Sequence, residues 1–167
     1  GTKTHEDLTV IIHPPLIDTL PPEFAELVEV LRKLRSGRET EDVLKPLAEE
    51  NFRKNHRALA APGVAALFGQ AKTRPVIVLG AGPTLDESLE TIRKFYTNSY
   101  LIAADTVLRG LSEEHLRPDI VISIDPRAES KMHFRNLDVQ DTILVFTPIT
   151  HPDIVRKFEG RRAVAIP

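Results

Sequence analysis

Short apolar runs recur about every 20 to 25 residues in the second half of the sequence, which is the usual period of a β-strand followed by an α-helix. The runs predict strands at 75–79, 100–104, 119–124, 142–146 and 162–166. They are continuously apolar rather than alternating, which favours a parallel sheet covered on both faces. We therefore predict an α/β fold with a Rossmann-like, doubly wound and mostly parallel sheet.

The segments between these strands have apolar residues at helical spacing. They predict helices at 85–96, 106–115 and 153–159, and a less regular helix at 129–136. Connections of this kind between parallel strands are right-handed crossovers. The last predicted strand ends one residue before the sequence does, whereas a doubly wound domain continues after such a strand. We therefore expect this chain to be part of a longer protein.

Residues 1–70 follow a different pattern and predict a mainly helical N-terminal region, which precedes the Rossmann-like domain at 71–167. An apolar run at 8–14 predicts a short strand, and a proline-rich corner follows it. Glycine-rich loops of the kind that hold phosphates are absent from this half of the sequence. Any such site is therefore expected in the second half.

Two helices are predicted within this N-terminal region. The apolar residues from Phe24 onwards lie at helical spacing and predict a first helix that ends at Gly37. A second helix is predicted from Thr40, and Pro46 either kinks or restarts it. We interpret the charged segment at 49–57 as a solvated face of this second helix.

Composition restricts the class of protein further. The 167 residues carry a formal net charge of -2, so there is no basic field to gather nucleic acid. The sequence has no cysteine, which excludes disulfides and cysteine-based zinc sites. No apolar run approaches the ~18 residues of a membrane-spanning helix, and no targeting signal is recognisable. We therefore expect a soluble, cytoplasmic protein with no membrane or nucleic-acid partner.

The first predicted strand runs into the turn Gly80-Ala81-Gly82-Pro83-Thr84, and a helix follows directly. Two glycines at a first strand-to-helix turn allow a tight turn and close approach of a phosphate to the backbone. The third glycine of the dinucleotide fingerprint is replaced by Leu85, so a plain NAD site is not indicated. The turn either holds a nucleotide in another way or only redirects the chain.

Two acidic residues follow the next two predicted strands. Asp105 lies 23 residues after Gly82, near the spacing expected for a ribose-binding acid, but it also fits a helix cap. Asp125 is followed by a proline and Arg127. A carboxylate here would bind a metal–phosphate complex or act as a general base, and the arginine would pair with a phosphate. The alternative for Asp125 is an ordinary turn.

The histidines carry a weaker signal. None has the spacing of a metal site such as H-E-x-x-H, and most are interpreted as solvated. His151 is the exception because it stands just after the fourth predicted strand, close to the expected cleft. A serine hydrolase is not indicated, since the sequence has no G-x-S-x-G turn.

Several of these motifs occur together in one known family. The segments GAGPTLD, AADT, RPDIVISIDPR and TPITHPD, in this order across residues 75–153, resemble the DUF115 domain of the motility accessory factor (Maf) proteins, which are flagellin glycosyltransferases. A related domain occurs in an archaeal 6-hydroxymethylpterin diphosphokinase. The segments IIHPPLIDTLPP and NFRKNHRAL are similar to the region that precedes this domain in the bacterial proteins.

The resemblance implies a Rossmann-like domain that binds a CMP-sugar donor. It places the nucleotide near Gly80, Gly82, Pro83 and Thr84, and Asp105 and Asp125 match the acidic residues at the strand ends of the family. Together with the positions of the other strand-end residues, this predicts a donor site that consists of Gly80, Ala81, Gly82, Pro83, Thr84, Asp105, Thr106, Arg127 and His151. Thr84 stands where the family usually has serine, and the hydroxyl is retained. Asp125 is our candidate for the catalytic acidic residue, and no residue is predicted to bind a resident metal. The resemblance leaves a requirement for Mg²⁺ open.

Three functions remain open from the sequence. The first is transfer of a nonulosonic, sialic-acid-like sugar from a CMP donor to a serine or threonine of a flagellin-like protein. The second is ATP-dependent pyrophosphate transfer to a pterin, without a P-loop because no Walker lysine follows the glycines. The third is a nucleotide-binding module without catalysis. We expect a transferase in the full-length protein.

Overall fold

A single parallel sheet organises the computed structural model, which describes residues 21–166. Its five strands lie in chain order, and every neighbouring pair is parallel. The strands are β1 (Val76–Leu79), β2 (Tyr100–Ala104), β3 (Ile120–Ser123), β4 (Ile143–Phe146) and β5 (Arg161–Val164). The predicted α/β class with a parallel, Rossmann-like sheet is confirmed, and each predicted strand matches an observed one to within two residues at its ends.

Helical segments connect the strands. The α-helices are α1 (Ala25–Asn55), α2 (Thr84–Phe95), α3 (Leu108–Glu113) and α4 (Pro152–Lys157). A short 3₁₀ turn (Asp105–Val107) leads into α3, and a longer 3₁₀ segment (Ala128–Phe134) stands where an irregular helix was predicted. Because the strand order follows the chain, no reversal of strand order occurs among the described strands, and α2, α3 and α4 all pack on the same face of the sheet. The doubly wound arrangement that was predicted is therefore not seen in the described part of the chain.

Alternate residues of the strands build the two faces of the core. One face packs the side chains of Leu101, Val121, Leu144 and Phe146 against the connecting helices. These four residues are completely buried, as expected for the central strands of a parallel sheet. The opposite face buries a second set of side chains, which includes Tyr100, Ile120, Ile143 and Val145.

The segment between α1 and β1 covers the β5 edge of the sheet. Ala58 and Leu59 pack on the helix-covered face of the core. Gly63 then forms a parallel bridge with Val164, so the segment adds backbone hydrogen bonding at this edge. Val64 and Leu67 continue onto the opposite face. The β5 edge is thereby protected from pairing with other chains.

The two helices predicted in the N-terminal region are one helix in the structure. Helix α1 is continuous from Ala25 to Asn55 and contains Gly37, Thr40 and Pro46. The predicted stop at Gly37 and cap at Thr40 are therefore wrong. An interior glycine costs a helix only about 1 kcal/mol relative to alanine, which neighbouring helix formers offset. Proline destabilises the interior of a helix more strongly than glycine does, but Pro46 also lies inside the continuous helix.

The chain divides into two compact units between Val43 and Leu44, so the segment 44–70 belongs to the same unit as the sheet. The domain boundary predicted at residues 70 and 71 stays a prediction. The strand predicted at 8–14 lies outside the described residues. No helix in the described part of the chain is both long enough and apolar enough to span a membrane.

Gly160 is required by packing at the start of β5. A Cβ atom at this position would overlap the backbone carbonyl oxygens of Thr142 and Val139 and the ring of Phe158. Backbone atoms cannot move aside as a flexible side chain can. We therefore predict that Gly160→Ala lowers the free energy of unfolding by about 2 kcal/mol, through overpacking.

Thermal denaturation of the two variants Gly160→Ala and Gly110→Ala checks this prediction. A Cβ on Gly110, inside α3, meets no described atom within 4 Å, so this control should gain about 0.5 to 1 kcal/mol from the better helix former. The melting temperature is expected to be highest for Gly110→Ala, intermediate for the wild type and lowest for Gly160→Ala. Equal stability of Gly160→Ala and wild type would contradict the packing argument.

Candidate functional site

The carboxyl ends of β1 to β4 lie along one edge of the sheet, and the residues singled out by sequence follow these ends. Neighbouring strands are separated by about 4.8 Å, so the ends of β1 and β3 are about 10 Å apart. In open α/β sheets this edge is where ligands bind.

The turn after β1 leaves its backbone uncovered. Residues 80–84 are all exposed, and α2 begins at Thr84. Neither Gly80 nor Gly82 has the positive φ that favours glycine, and a Cβ on either would meet no described atom within 4 Å. The fold therefore does not require glycine at these two positions. What glycine provides here is open access to the backbone from outside the protein.

Asp105 lies at the end of β2, where its side chain is almost completely buried. Its Oδ2 accepts a hydrogen bond from the Ser123 hydroxyl at 2.6 Å, which links the ends of β2 and β3. The 3₁₀ turn that starts at Asp105 has no side-chain cap, so the structure does not bear out the alternative that Asp105 caps a helix. Thr106, the next residue, is exposed.

Asp125 and Arg127 form a close ion pair after β3. Arg127 Nε donates to Oδ1 at 3.0 Å and Nη2 donates to Oδ2 at 2.8 Å, and the Arg127 backbone N–H also donates to Oδ1 at 2.9 Å. The Arg127 guanidinium holds the pKa of the Asp125 carboxyl below its usual range, mainly through these side-chain hydrogen bonds. Partial burial opposes the effect by raising the pKa. The carboxylate is therefore a weaker base than a free one.

Arg127 itself keeps a free side for another anion. Its side chain is 60% exposed, and within the described residues Nη1 has no hydrogen-bond partner. Asp125 occupies the Nε–Nη2 side of the planar group, which leaves the Nη1–Nη2 edge open. Because a guanidinium presents five donors in a rigid plane, it can pair with a carboxylate on one edge and a phosphate on another.

His151 serves as the N-cap of α4. Its ring Nδ1 accepts a hydrogen bond from the Asp153 backbone N–H at 3.2 Å, which assigns the proton of the neutral ring to Nε2. Burial lowers the pKa of His151, and the positive charge of Lys131 lowers it further. The ring is therefore neutral at pH 7. Asp153 is held in turn by Arg156 at 2.8 Å.

The loops after β3 and β4 are tied to each other. The Thr150 hydroxyl donates to the Ser123 carbonyl at 2.7 Å, and the His151 backbone N–H donates to the Asp125 carbonyl at 3.1 Å. Together with the bond from Ser123 to Asp105, these contacts connect the ends of β2, β3 and β4. No hydrogen bond in the described part of the chain joins the glycine turn at 80–84 to them.

Two further residues contact this edge and were not predicted. Asn51 and Asn55, in the last turn of α1, are 2% and 1% exposed, and their side-chain amides donate to carbonyls of the loops after β3 and β4. The interpretation of segment 49–57 as a solvated face is therefore wrong for these two positions. Two sequence signals were present. The asparagines lie one helical turn apart in a charged helix, where asparagine is a poor helix former, and both belong to the segment NFRKNHRAL that resembles the region preceding the domain in the Maf proteins.

The arrangement combines an exposed arginine that is paired with Asp125, the carboxylate of Asp105 and an exposed glycine turn at one sheet edge. Among the side chains that the structure describes, no three histidine or acidic residues are grouped as a metal site. A parallel sheet with polar groups gathered beyond its carboxyl ends is characteristic of the Rossmann-like α/β class.

Comparison with protein families gives a more specific assignment. The pattern of the family described as "6-hydroxymethylpterin diphosphokinase MptE-like" matches residues 50–167, and the chain belongs to this family. No curated protein matches the chain. A solved structure of the MAf glycosyltransferase from Magnetospirillum magneticum AMB-1 is 20% identical over 64% of this chain, with a TM-score of 0.48. The matched part covers 16% of the length of that protein, so the comparison spans only a small part of it.

Removal of the arginine tests the electrostatics of the ion pair. We predict that Arg127→Ala raises the pKa of Asp125 toward the ordinary range of a carboxyl, because its strongest hydrogen-bond donors are lost. The measurement is a ¹³C NMR titration of the carboxyl carbons. In the wild type, the paired Asp125 stabilises the fold above its unfolded-state pKa, and this contribution is lost as the pH falls through the lowered pKa.

Arg156→Ala provides the matched control, because Arg156 is the main cause of the lowered pKa of Asp153. This variant should raise the pKa of Asp153 and leave that of Asp125 unchanged. An Asp125 titration that is the same in Arg127→Ala and in the wild type would show that the pair is not formed in solution.

Proposed function

We propose that this chain is the nucleotide-binding part of a transferase, and that the full-length protein moves a nonulosonic sugar from a CMP donor to a serine or threonine of a flagellin-like protein. The nucleotide phosphate lies on the backbone of the turn at 80–84, and the exposed edge of Arg127 pairs with it. The ordered motifs shared with the Maf proteins support this choice of donor and acceptor.

The glycine turn is the observation that carries the proposal. A turn that only redirects the chain would use glycine for a positive φ or for lack of space, and neither reason applies to Gly80 or Gly82. A ligand that approaches the backbone supplies the missing reason, because any side chain would hold it away. Helix α2, which has 12 residues, begins directly after this turn, so the positive end of its dipole lies beside the proposed phosphate. The Leu85 N–H already donates to the Gly82 carbonyl, and Asp86 and Glu87 stand in the first turn of the helix.

The transfer reaction sets two chemical requirements. The acceptor hydroxyl oxygen forms a bond to the anomeric carbon while the bond from that carbon to the phosphate oxygen breaks, and CMP leaves with the bonding electrons. A base takes the hydroxyl proton, and a cation stabilises the charge that develops on the leaving phosphate. Arg127 is suited to the second requirement because its charge is held at the sheet edge by Asp125.

The catalytic role predicted for Asp125 stays a prediction, and its contacts favour a different one. Both carboxylate oxygens accept hydrogen bonds from Arg127, and the lowered pKa makes proton abstraction less favourable. A carboxylate that fixes a planar arginine acts as an orienting group. We therefore propose that Asp125 contributes mainly by holding Arg127 toward the donor phosphate.

A second function is favoured by the description of the family. Pyrophosphate transfer from ATP to a pterin would use the same glycine turn and Arg127 for the nucleotide phosphates. Mg²⁺ would then be bound between the phosphates and one or two carboxylates, as in many phosphoryl-transfer sites. Asp105 and Asp125 are the carboxylates that follow β2 and β3 at this edge.

Thermal stabilisation distinguishes the two functions. The chain is melted with CMP, CDP, UDP, ATP or NAD, each with and without Mg²⁺. A ligand at about 100 times its dissociation constant adds about 2.7 kcal/mol, which raises the melting temperature by roughly 5 to 10 °C for a chain of this size. Selective stabilisation by CMP supports the glycosyltransferase, and stabilisation by ATP with Mg²⁺ supports the diphosphokinase. Absence of stabilisation by all five contradicts nucleotide binding.

Substitution of the second glycine tests the role of the turn. We predict that Gly82→Ala leaves the ligand-free melting temperature unchanged or slightly higher, because the space is open and the unfolded chain loses entropy. The nucleotide affinity should fall at least tenfold, since the new methyl group lies between ligand and backbone. Isothermal titration calorimetry with the nucleotide selected by thermal stabilisation measures this affinity.

Gly110→Ala is again the control, because it adds the same methyl group at an equally open position in α3. Its affinity should equal that of the wild type. If Gly82→Ala also binds as the wild type does, the turn at 80–84 only redirects the chain.

A further inference from the structure

Asn51 and Asn55 lie one turn apart in α1, so they project from the same side of the helix. Both side chains are almost completely buried, whereas Phe52, Arg53 and Lys54 between them are exposed. A buried asparagine is costly unless its amide is hydrogen-bonded. The contacts of the two amide nitrogens account for the burial of these donors, whereas Asn55 Oδ1 is buried without a hydrogen-bond partner among the described residues.

Each side-chain amide bridges two backbone carbonyls. Asn51 Nδ2 donates to the Pro126 carbonyl at 2.8 Å and to the Ile149 carbonyl at 3.1 Å, which joins the loop after β3 to the loop after β4. Asn55 Nδ2 donates to the Pro148 carbonyl at 3.0 Å and to the Thr150 carbonyl at 2.7 Å, which fixes the shape of the second loop. Both N–H groups of each amide are used.

The composition of the loops explains why side chains provide these donors. Pro126 and Pro148 are buried and have no backbone N–H, so the loops contain fewer donors than carbonyl acceptors. Buried carbonyls without a partner are rare because they cost free energy. The carboxamide of asparagine offers two donors on one short and rigid side chain, which suits two carbonyls that lie close together.

The bridged carbonyls are adjacent to the residues of the candidate site. Pro126 stands between Asp125 and Arg127, and Thr150 directly precedes His151. The His151 backbone N–H also donates to the Asp125 carbonyl. A shift of either loop would therefore move the Asp125–Arg127 pair relative to His151.

We propose that Asn51 and Asn55 are positioning residues, which hold Arg127 and His151 at the geometry needed to bind the donor by clamping the backbone of the two loops that carry them. The effect on ligand binding rests on the proposed function, whereas the effect on loop geometry does not. Neither asparagine contacts the ligand in this proposal.

The experiment compares Asn51→Ala with Thr142→Ala. Thr142 is 1% exposed, and its Oγ1 donates to the Pro118 carbonyl at 2.9 Å at the opposite edge of the sheet. Both variants remove buried hydrogen bonds to a proline carbonyl, and each should lower the melting temperature by several degrees, about 5 to 10 °C for Asn51→Ala. Stability alone therefore does not distinguish positioning from a purely structural role.

Two NMR readouts make the distinction without any ligand. In Asn51→Ala, the backbone amide signals of Arg127 and His151 should shift, and the titration of the Asp125 carboxyl should move toward its ordinary range as the pair with Arg127 loosens. In Thr142→Ala, both readouts should match the wild type. An Asp125 titration and amide signals that are unchanged in Asn51→Ala would overturn the proposal.

A third readout tests whether the clamp, which is the set of four hydrogen bonds donated by Asn51 and Asn55, affects ligand binding. With CMP, and with ATP and Mg²⁺, as probes, the affinity of Asn51→Ala should fall at least tenfold and that of Thr142→Ala by less than twofold. If the amide signals shift in Asn51→Ala but neither probe binds to the wild type, the effect of Asn51 on loop geometry is supported and the proposed function is contradicted. Shifted amides with unchanged probe affinity would overturn the positioning role.

If Asn51→Ala does not fold, two less disruptive substitutions provide the test. Asn51→Ser retains one donor, and Asn55→Ser affects only the loop after β4. The former should move the Arg127 signals and the latter mainly the His151 signals. The opposite pattern, or no change in either, would contradict the assignment of one bridge to each loop.

Discussion

Parallel strands bring all of their carboxyl ends to the same edge of a sheet, and in this protein the polar residues of four successive strands meet there. The order of the strands follows the chain, so the glycine turn of β1, the acid of β2 and the ion pair of β3 are spaced at intervals of one strand. The buried faces fix the register, because a slip of one residue would expose side chains such as Leu101 and Leu144. The same packing therefore determines the fold and the spacing of the candidate site.

Much of this arrangement could be predicted from sequence, because residues that are close together in the chain determine the strands, helices and turns. Strand β2 was predicted at its observed bounds because its apolar run is long and its ends carry turn residues. The helix after β1 was predicted to within one residue because the glycine turn precedes a regular helical pattern. In α1, the local signals at Gly37 and Thr40 pointed to a break that does not occur. An unfavourable residue such as an interior glycine costs a helix about 1 kcal/mol, and the other residues of a long helix offset this cost.

The contacts between distant parts of the chain could not be predicted in this way. Asn51 donates to carbonyls that are 75 and 98 residues further along the sequence. Every residue has a backbone carbonyl, so no sequence motif identifies the ones that accept these hydrogen bonds. The pairing of Ser123 with Asp105 was missed for a similar reason, since it depends on the order of β2 and β3 in the sheet. Asp125 and Arg127, two residues apart, could be predicted as neighbours but not as a bidentate pair.

The clamp and the ion pair have complementary physical roles. The ion pair is partly exposed, so solvent screens it and its contribution to stability is small. The amide bridges are buried, where a hydrogen bond is stronger and a missing partner more costly. The buried amides of Asn51 and Asn55, together with the hydrogen bonds of Ser123, Thr150 and His151, hold the backbone at this edge, while the exposed positive charge lies at Arg127. In the proposed function, a phosphate would therefore pair with the open edge of Arg127 without disturbing the backbone that presents it.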